Sequence, residues 1–237
     1  MWFTWRLDKT AAGPHLPKRM TTSLKIDFVS DVSCPWCAIG LKSLDQALGR
    51  VAGEIQADIH FQPFELNPGM APGGEDINEH LHKKYGSTPE QAAGAREAIR
   101  QRGAAVGFDF QMDKRGRIYN TFDAHRLLHW AELEGQGRQR ALKEALFRAY
   151  FTNGESPESH EVLLRVATEV GLDPVRAAAI LASNEFADEV RAQEQFYLRA
   201  GIHAVPAVII NDKHLISGGQ PAEVFEQALR QIAAEPA

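Results

Sequence analysis

Cys34 and Cys37 are the residues whose type and spacing most directly predict chemistry. They are the only two cysteines of the chain, and Pro35 and Trp36 separate them. Cysteines three apart at the start of a helix lie about one turn apart, within reach of reversible disulfide formation. A disulfide across so short a loop constrains the unfolded chain little and stabilises the fold only modestly. We therefore predict that the pair serves chemistry rather than stability.

The elements around the pair support a redox function. An apolar run over Leu24 to Ser30 predicts a buried strand, and leucines at helical spacing after Cys37 predict an amphipathic helix. With Cys34 at the N-cap, free backbone N–H groups and the helix dipole stabilise its thiolate. We expect Cys34 to attack and Cys37, one turn further in and more buried, to resolve the mixed disulfide.

Two alternatives for the cysteines remain open. A CxxC pair can be half of a zinc site, but such a site needs two further ligands and no second pair exists. His125 and His129 are four apart on a predicted helix, without an evident third ligand. The pair could also be two inert cysteines. We predict no metal site.

Pro206 opens a predicted strand, which is a position where proline is tolerated. If the Val205–Pro206 bond is cis, the backbone groups of Val205 would be exposed near the sulfurs. An extended peptide or glutathione could then pair with them as an added strand.

Composition limits the classes of protein that remain. The chain has 237 residues, 44% hydrophobic and 24% charged, with a net charge of −5. We expect no nucleic-acid partner because no basic stripe is present, and no membrane span because the apolar runs are short. Residues 1–23 are predicted to be a disordered extension, with Met20 as an alternative start. The absence of a secretory signal pattern favours a cytoplasmic protein.

The element pattern predicts an α/β protein with a discontinuous domain. Residues 24–65 form a strand–helix–strand unit, and residues 183–237 form a helix, a two-strand hairpin turning at Asn211-Asp212, and a final helix. Between them, 66–182 are predicted to be an all-helical inserted domain. Its helix starts are Thr88-Pro89, Ser156-Pro157 and Asp173-Pro174, where a capping residue precedes proline.

Three stretches of the chain resemble the DsbA family, and within it the FrnE-like branch, related to 2-hydroxychromene-2-carboxylate isomerases and kappa-class glutathione transferases. They are Ser30-Asp31-Val32-Ser33-Cys34-Pro35-Trp36-Cys37, Phe61 to Pro68, and Val205-Pro206. The resemblance implies a thioredoxin-like fold with an inserted helical domain, thiol–disulfide oxidoreductase activity and a cis Val205–Pro206 bond. It makes Pro35, Trp36, Val205 and Pro206 the expected substrate-binding residues.

The sequence departs from these relatives at informative positions. The isomerases and transferases that it resembles have a serine where this chain has Cys34, and a Ser-Asp pair that holds glutathione where this chain has Ser217 to Gln220. Gln220 is the candidate substitute. Thioredoxin-like proteins often carry a buried acid beneath the CxxC, for which Asp27 is the candidate. His203 is a candidate for tuning Cys34.

The leading hypothesis is a thiol–disulfide oxidoreductase that acts on protein or small-molecule disulfides and requires no cofactor. It would exchange electrons with an external redox partner, for which glutathione is a candidate co-substrate. One alternative is a glutathione-dependent isomerase or transferase of a small aromatic or polyketide substrate. Another is a redox-switched binding module. A homodimer is compatible with all three.

Overall fold

The computed structural model describes residues 21–135 and 137–235, so the predicted disordered extension lies almost wholly outside the described residues. The elements follow in chain order: β1 (Thr22–Ser30), α1 (Pro35–Val51), β2 (Ile55–Pro63), β3 (Glu75–Asp76), α2 (Ile77–Tyr85), α3 (Pro89–Ala105), β4 (Arg117–Ile118), α4 (Phe122–Leu133), α5 (Arg138–Phe147), α6 (His160–Glu169), α7 (Pro174–Leu181), α8 (Ala187–Arg199), β5 (Ala207–Ile210), β6 (His214–Ser217) and α9 (Ala222–Ala233). Strand β1 begins two residues before the predicted Leu24.

The main sheet has the strand order β2-β1-β5-β6. β1 pairs in parallel with β2 and antiparallel with β5, which forms a hairpin with β6. The hairpin turn contains Asn211 at φ 52° and Asp212 at φ 56°. Two successive positive φ values suit the right-handed twist of a hairpin, and asparagine and aspartate tolerate them. The predicted hairpin and its turn are confirmed.

Strand β1 is buried on both faces from Ile26 onward, which places it at the centre of the sheet. Ile26 and Phe28 pack with α1 and α9, whereas Val29 packs with Tyr197 of α8 on the opposite face. Because side chains alternate along a strand, Asp27 shares the face of Val29. This alternation decides which β1 residues can reach the cysteines.

Helix α1 begins at Pro35 after a short link that follows β1, with Cys34 at the N-cap position. Proline is tolerated in this first turn, where the missing N–H has no partner to lose. Leu41, Leu44 and Val51 are fully buried on its apolar face, against the sheet and α9. The helix therefore holds the cysteine pair at the end of the central strand.

The segment between β2 and β5 is mostly helical, but the prediction that 66–182 is all-helical was wrong. Strands β3 and β4 form a two-stranded antiparallel sheet there. Two-residue strands have too little periodicity to be recognised in sequence. Helix α2 was also missed, although Asp76 caps it by accepting from the N–H groups of Asn78 and Glu79.

The helix starts of this segment test the capping predictions. Thr88 caps α3 with a complete capping box formed with Gln91, and Asp173 caps α7, as predicted. The predicted start at Ser156 was wrong, because α6 is capped by Ser159. Each serine lies two residues before a glutamate, so local composition did not separate them. The chain after α5 continues as a π-helical turn over Arg148–Asn153.

The buried residues form two large clusters. One surrounds the sheet and includes Phe147, Tyr150 and Phe151 from the segment between β2 and β5. The other joins α4, α5, α6 and α7. The division into a discontinuous domain and an inserted domain stays a prediction. Within residues 21–135 and 137–235, no helix has the length and apolar character to cross a bilayer.

Candidate active site

The two cysteines stand on the first turn of α1 with their sulfurs reduced. The N–H of Cys37 donates to the carbonyl of Cys34 at 3.1 Å, which closes the turn between them. Cys34 is 3% exposed and Cys37 is 0% exposed. Both thiols are therefore shielded, and Cys34 is the one nearer the surface.

The Cys34 thiol faces the loop before β5. Its Sγ donates to the carbonyl oxygen of Val205 at 3.6 Å. The Val205–Pro206 peptide bond is cis, as the resemblance implied, and Pro206 is buried. The structure thus brings Cys34, Pro35 and Cys37 together with Val205 and Pro206. Cys34 and Val205 are 171 positions apart in the sequence.

Trp36 lies on the outer side of the same turn and is 38% exposed. The guanidinium carbon of Arg102, from α3, is 6.0 Å from the centre of its ring. An Nη of Arg102 also donates to the carbonyl of Gly219 at 3.2 Å. A tryptophan face and a cation are therefore presented beside the cysteine pair. Sequence reasoning missed Arg102, since nothing in α3 points to the CxxC.

Cys37 is surrounded by groups that oppose and favour its ionisation. Burial raises the pKa of the Cys37 thiol well above its ordinary value, and the Cys34 thiol raises it further. The positive charge of Lys143 and the backbone of Asp31 act in the opposite direction. Burial has the larger effect, so the Cys37 thiol ionises less readily than an exposed cysteine does.

Lys143, on α5, is a second group that sequence reasoning missed. It is 1% exposed, donates from Nζ to the carbonyl of Ser30 at 3.4 Å, and lies 5.3 Å from the ring centre of Phe147. Burial lowers its pKa to about 8, although the negative charges of Cys37, Asp31 and Cys34 oppose this. The available signal was a lysine between Leu142 and Ala145 on an otherwise apolar stripe.

Asp31 holds the loop that leads into the CxxC. Its carboxylate accepts from the N–H of Ser33 at 3.1 Å, the hydroxyl of Ser33 at 2.9 Å and the N–H of Leu66 at 2.8 Å. His125 Nε2 is 3.6 Å from Oδ1. Burial opposes ionisation, but His125 and these donors outweigh it and lower the pKa of Asp31 to about 2.

Arg115 anchors the same loop from the segment before β4. An Nη donates to the carbonyl of Ser33 at 3.1 Å, and its guanidinium carbon lies 5.0 Å from the ring centre of Tyr150. The loop is therefore held by an anion on one side and a cation on the other. Neither contact has a signal in the local sequence.

The remaining candidate residues are not brought to the sulfurs. Asp27 accepts from Gln62 at 2.7 Å and pairs with Lys25 at 3.0 Å, on the sheet face opposite Phe28 and the cysteines. Gln220 donates to the carbonyl of Ser217 at 2.8 Å. His203 is exposed, and among the described residues its ring makes no hydrogen bond or ion pair.

The histidines considered as a metal pair have other contacts. His125 faces Asp31, and the ring of His129 lies 5.2 Å from that of Phe186. In the part of the chain that the structure describes, no cluster of three or more histidine, cysteine or acidic side chains could hold a metal ion.

Known families and solved structures share the fold that carries this site. The family model described as a DSBA-like thioredoxin domain matches residues 25–230. A crystal structure of a probable DsbA oxidoreductase from Streptomyces coelicolor is 35% identical, with a TM-score of 0.82, and the match covers 90% of this chain and 92% of that one. The predicted α/β thioredoxin-like fold is confirmed.

Two more distant structures share the fold. A 2-hydroxychromene-2-carboxylate isomerase is 14% identical with a TM-score of 0.69, covering 88% of this chain and 95% of that one. The cytosolic disulfide reductase DsbM from Pseudomonas aeruginosa, solved with GSH, is 16% identical with a TM-score of 0.59, covering 88% and 98%.

Proposed function

This chain belongs to the family of DSBA-like thioredoxin domains and is a thiol–disulfide oxidoreductase, and we propose that Cys34 is its attacking thiol and Cys37 its resolving thiol. The Cys34 thiolate attacks a substrate disulfide, forms a mixed disulfide and releases one substrate thiolate. Cys37 then attacks the Cys34 sulfur, which releases the second substrate thiolate and leaves a Cys34–Cys37 disulfide. The substrate gains two electrons and the protein loses two.

The observation that carries this proposal is the contact of Cys34 Sγ with the Val205 carbonyl at 3.6 Å, while Cys37 lies fully buried behind it. A disulfide that approaches the exposed ring of Trp36 meets Cys34 first and lies alongside the backbone of Val205. An extended peptide in that position can add main-chain hydrogen bonds to Val205. Pro35, Trp36, Val205 and Pro206 are accordingly the proposed substrate-binding residues.

Glutathione is the proposed electron donor that returns the pair to its dithiol form, in the cytoplasm. Support comes from the fold shared with the cytosolic reductase DsbM, which was solved with GSH. Arg102 adds a cation beside Trp36, where a carboxylate of a small anionic thiol can be attracted. The isomerase alternative is not favoured, because this chain has Cys34 where the isomerases that it resembles have serine.

Cysteine variants test the assignment of roles. In a glutathione-driven insulin-reduction assay, Cys34→Ser is expected to abolish turnover because no thiol remains near the surface. Cys37→Ser incubated with glutathione disulfide is expected to retain one glutathione on Cys34, detected by intact-mass spectrometry under non-reducing conditions.

The matched control is Ser43→Ala, because Ser43 is buried on the same helix away from the pair. Wild-type turnover in Cys34→Ser would contradict the role of Cys34. With a small aromatic substrate in place of insulin, glutathione-dependent turnover that survives Cys37→Ser would instead support the isomerase or transferase alternative.

A further inference from the structure

Three cations stand around the CxxC without a carboxylate partner. They are Lys84 of α2, Arg102 of α3 and Arg115 of the segment before β4. Each donates to a backbone carbonyl, and in the part of the chain that the structure describes none of the three forms an ion pair. The two cations of α1 itself, Lys42 and Arg50, both pair with acids. The positive charges around the cysteines are therefore not neutralised by a contact with an acid of the protein.

Arg115 and Lys84 hold the backbone that leads to the attacking thiol. Arg115 donates at 3.1 Å to the carbonyl of Ser33, the residue bonded to Cys34. Lys84 donates at 2.8 Å to the carbonyl of Leu66, which packs against the buried cluster that contains Cys34. Both charges are thus fixed close to this thiol by contacts with the backbone.

Arg102 places the third charge beside Trp36. Its guanidinium carbon lies 6.0 Å from the centre of the exposed Trp36 ring, and it donates at 3.2 Å to the carbonyl of Gly219. Gly219 in turn lies against the first turn of α1, since a methyl group added to it would be 2.8 Å from the Trp36 carbonyl oxygen. Arg102 and Lys84 are both exposed, so a molecule that approaches the cysteine pair can reach them.

The acid at this place is in no position to offset the three cations. Asp31 is the acid whose charge acts on Lys84. It is 1% exposed, and its oxygens accept from Ser33 and Leu66. The molecule as a whole has a net charge of −5. A ligand that approaches Cys34 therefore meets positive charge on the surface of a negative protein.

We propose that the site selects its substrate by charge, taking small disulfides with carboxylates a few bonds from the sulfurs in preference to neutral or cationic disulfides. Guanidinium groups bind carboxylates through paired hydrogen bonds, and opposite charge speeds the encounter. The carboxylates must lie close to the sulfurs, because Arg102 and Arg115 are anchored to backbone next to the pair. The Cys34 thiolate bonds to one sulfur, and the other leaves with its electron pair as a carboxylate-bearing thiolate. The inference rests on the proposed role of Cys34.

A series of aliphatic disulfides measures this preference in the Cys37→Ser variant, which stops at the mixed disulfide. Dithiodipropionate is a dianion, bis-hydroxyethyl disulfide is neutral and cystamine is a dication. The rate at which intact-mass spectrometry detects the Cys34 adduct is divided by the rate of the same disulfide with thioglycerol, which corrects for intrinsic reactivity. At low ionic strength the corrected rate of the dianion should exceed that of the dication about tenfold or more. Added salt should bring the two rates together.

Neutral variants in the same background assign the preference to the arginines. Arg102→Gln and Arg115→Gln keep a hydrogen-bond donor, and each should slow the dianion about threefold while leaving the neutral disulfide within about twofold. Arg102→Lys should retain the preference because it keeps the charge. The control is Lys213→Gln, which removes one exposed positive charge at the end of β5 farthest from Pro206 and should leave all three rates unchanged.

Equal corrected rates for the dianion and the dication would overturn the proposal. Equal slowing of all three disulfides by Arg102→Gln and Arg115→Gln would also overturn it, because the arginines would then only hold the backbone. Failure of the proposed function looks different, since no disulfide of the series would then form an adduct on Cys34.

Discussion

At the residue scale, Asp31 shows how one carboxylate orders the entrance to the CxxC. It ties the loop after β1 to Leu66 at the end of β2 and to Ser33, the residue immediately before Cys34. Three charge-assisted hydrogen bonds to a fully buried carboxylate are stronger than neutral ones and strongly orient the loop. The position of the attacking thiol therefore depends on the ionised form of Asp31.

Replacing Asp31 by Asn should cost about 2 kcal/mol of unfolding free energy at pH 7, the equivalent of the lowered pKa. A lowered folded-state pKa gives stability that is present above the unfolded value, near pH 4, and is lost as the pH falls through about 2. The difference between wild type and Asp31→Asn should therefore shrink from pH 5 to pH 2 in urea titrations. A difference that stays constant over this range would show that the carboxylate charge is not the cause.

Residue-level prediction from sequence succeeded where a local pattern carries the chemistry. Cys34 and Cys37 were found because their spacing and the strand-to-helix junction are both visible in ten residues. Lys143 and Arg102 were not, because they reach the site through tertiary packing of α5 and α3. Asp27 and Phe28 could not be assigned to faces, since a strand that is buried on both sides shows no alternation.

At the scale of elements, the turn after β6 and the first turns of α1 pack almost without side chains between them. A methyl group added to Gly219 would lie 2.8 Å from the Trp36 carbonyl oxygen, and one added to Gly40 would lie 3.1 Å from the Pro206 ring. Both contacts are closer than a carbon atom allows comfortably. Gly40 thus sets the distance between α1 and Pro206, and Gly219 sets the distance between α1 and the turn after β6.

Gly219→Ala should therefore push these elements apart and destabilise the fold by about 1–3 kcal/mol, as overpacking does elsewhere. Insulin reduction should fall as well, because the loop that contains Val205 moves relative to Cys34. The control is Gly49→Ala in α1, where no atom lies within 4 Å of the added methyl group. That change should be neutral or stabilising by up to about 1 kcal/mol. Thermal unfolding that is the same for the two variants would contradict the steric argument.

Element prediction from sequence was reliable at strong caps and weak elsewhere. Thr88 and Asp173 were identified because a capping side chain, a proline and an amphipathic run coincide. The start at Ser159 was misplaced because Ser156 offers the same residue type three positions earlier. Pairing of β3 with β4 depends on residues about 40 positions apart, which local patterns do not report.

At the scale of the whole molecule, the helices between β2 and β5 complete the core of the sheet. Phe151 is fully buried in the same cluster as Cys37, Phe28 and Phe225, and its ring packs against those of Phe110 and Tyr150. Apolar side chains that share one cluster lose their burial together. The predicted inserted domain, residues 66–182, therefore shares a core with the sheet and is not expected to unfold separately.

We accordingly expect the chain to unfold in one transition. Phe151→Ala should lower the unfolding free energy by about 3–5 kcal/mol, the usual cost of emptying an aromatic site in a core. Far-UV circular dichroism, which reports all helices, and alkylation of Cys37 in a Cys34→Ser background, which reports the sheet core, should shift to lower urea by the same amount. Phe196→Ala is the control, because this side chain is 59% exposed. Separate transitions for the two probes, with only the circular-dichroism signal shifted by Phe151→Ala, would mean that the helical segment is an independent folding unit.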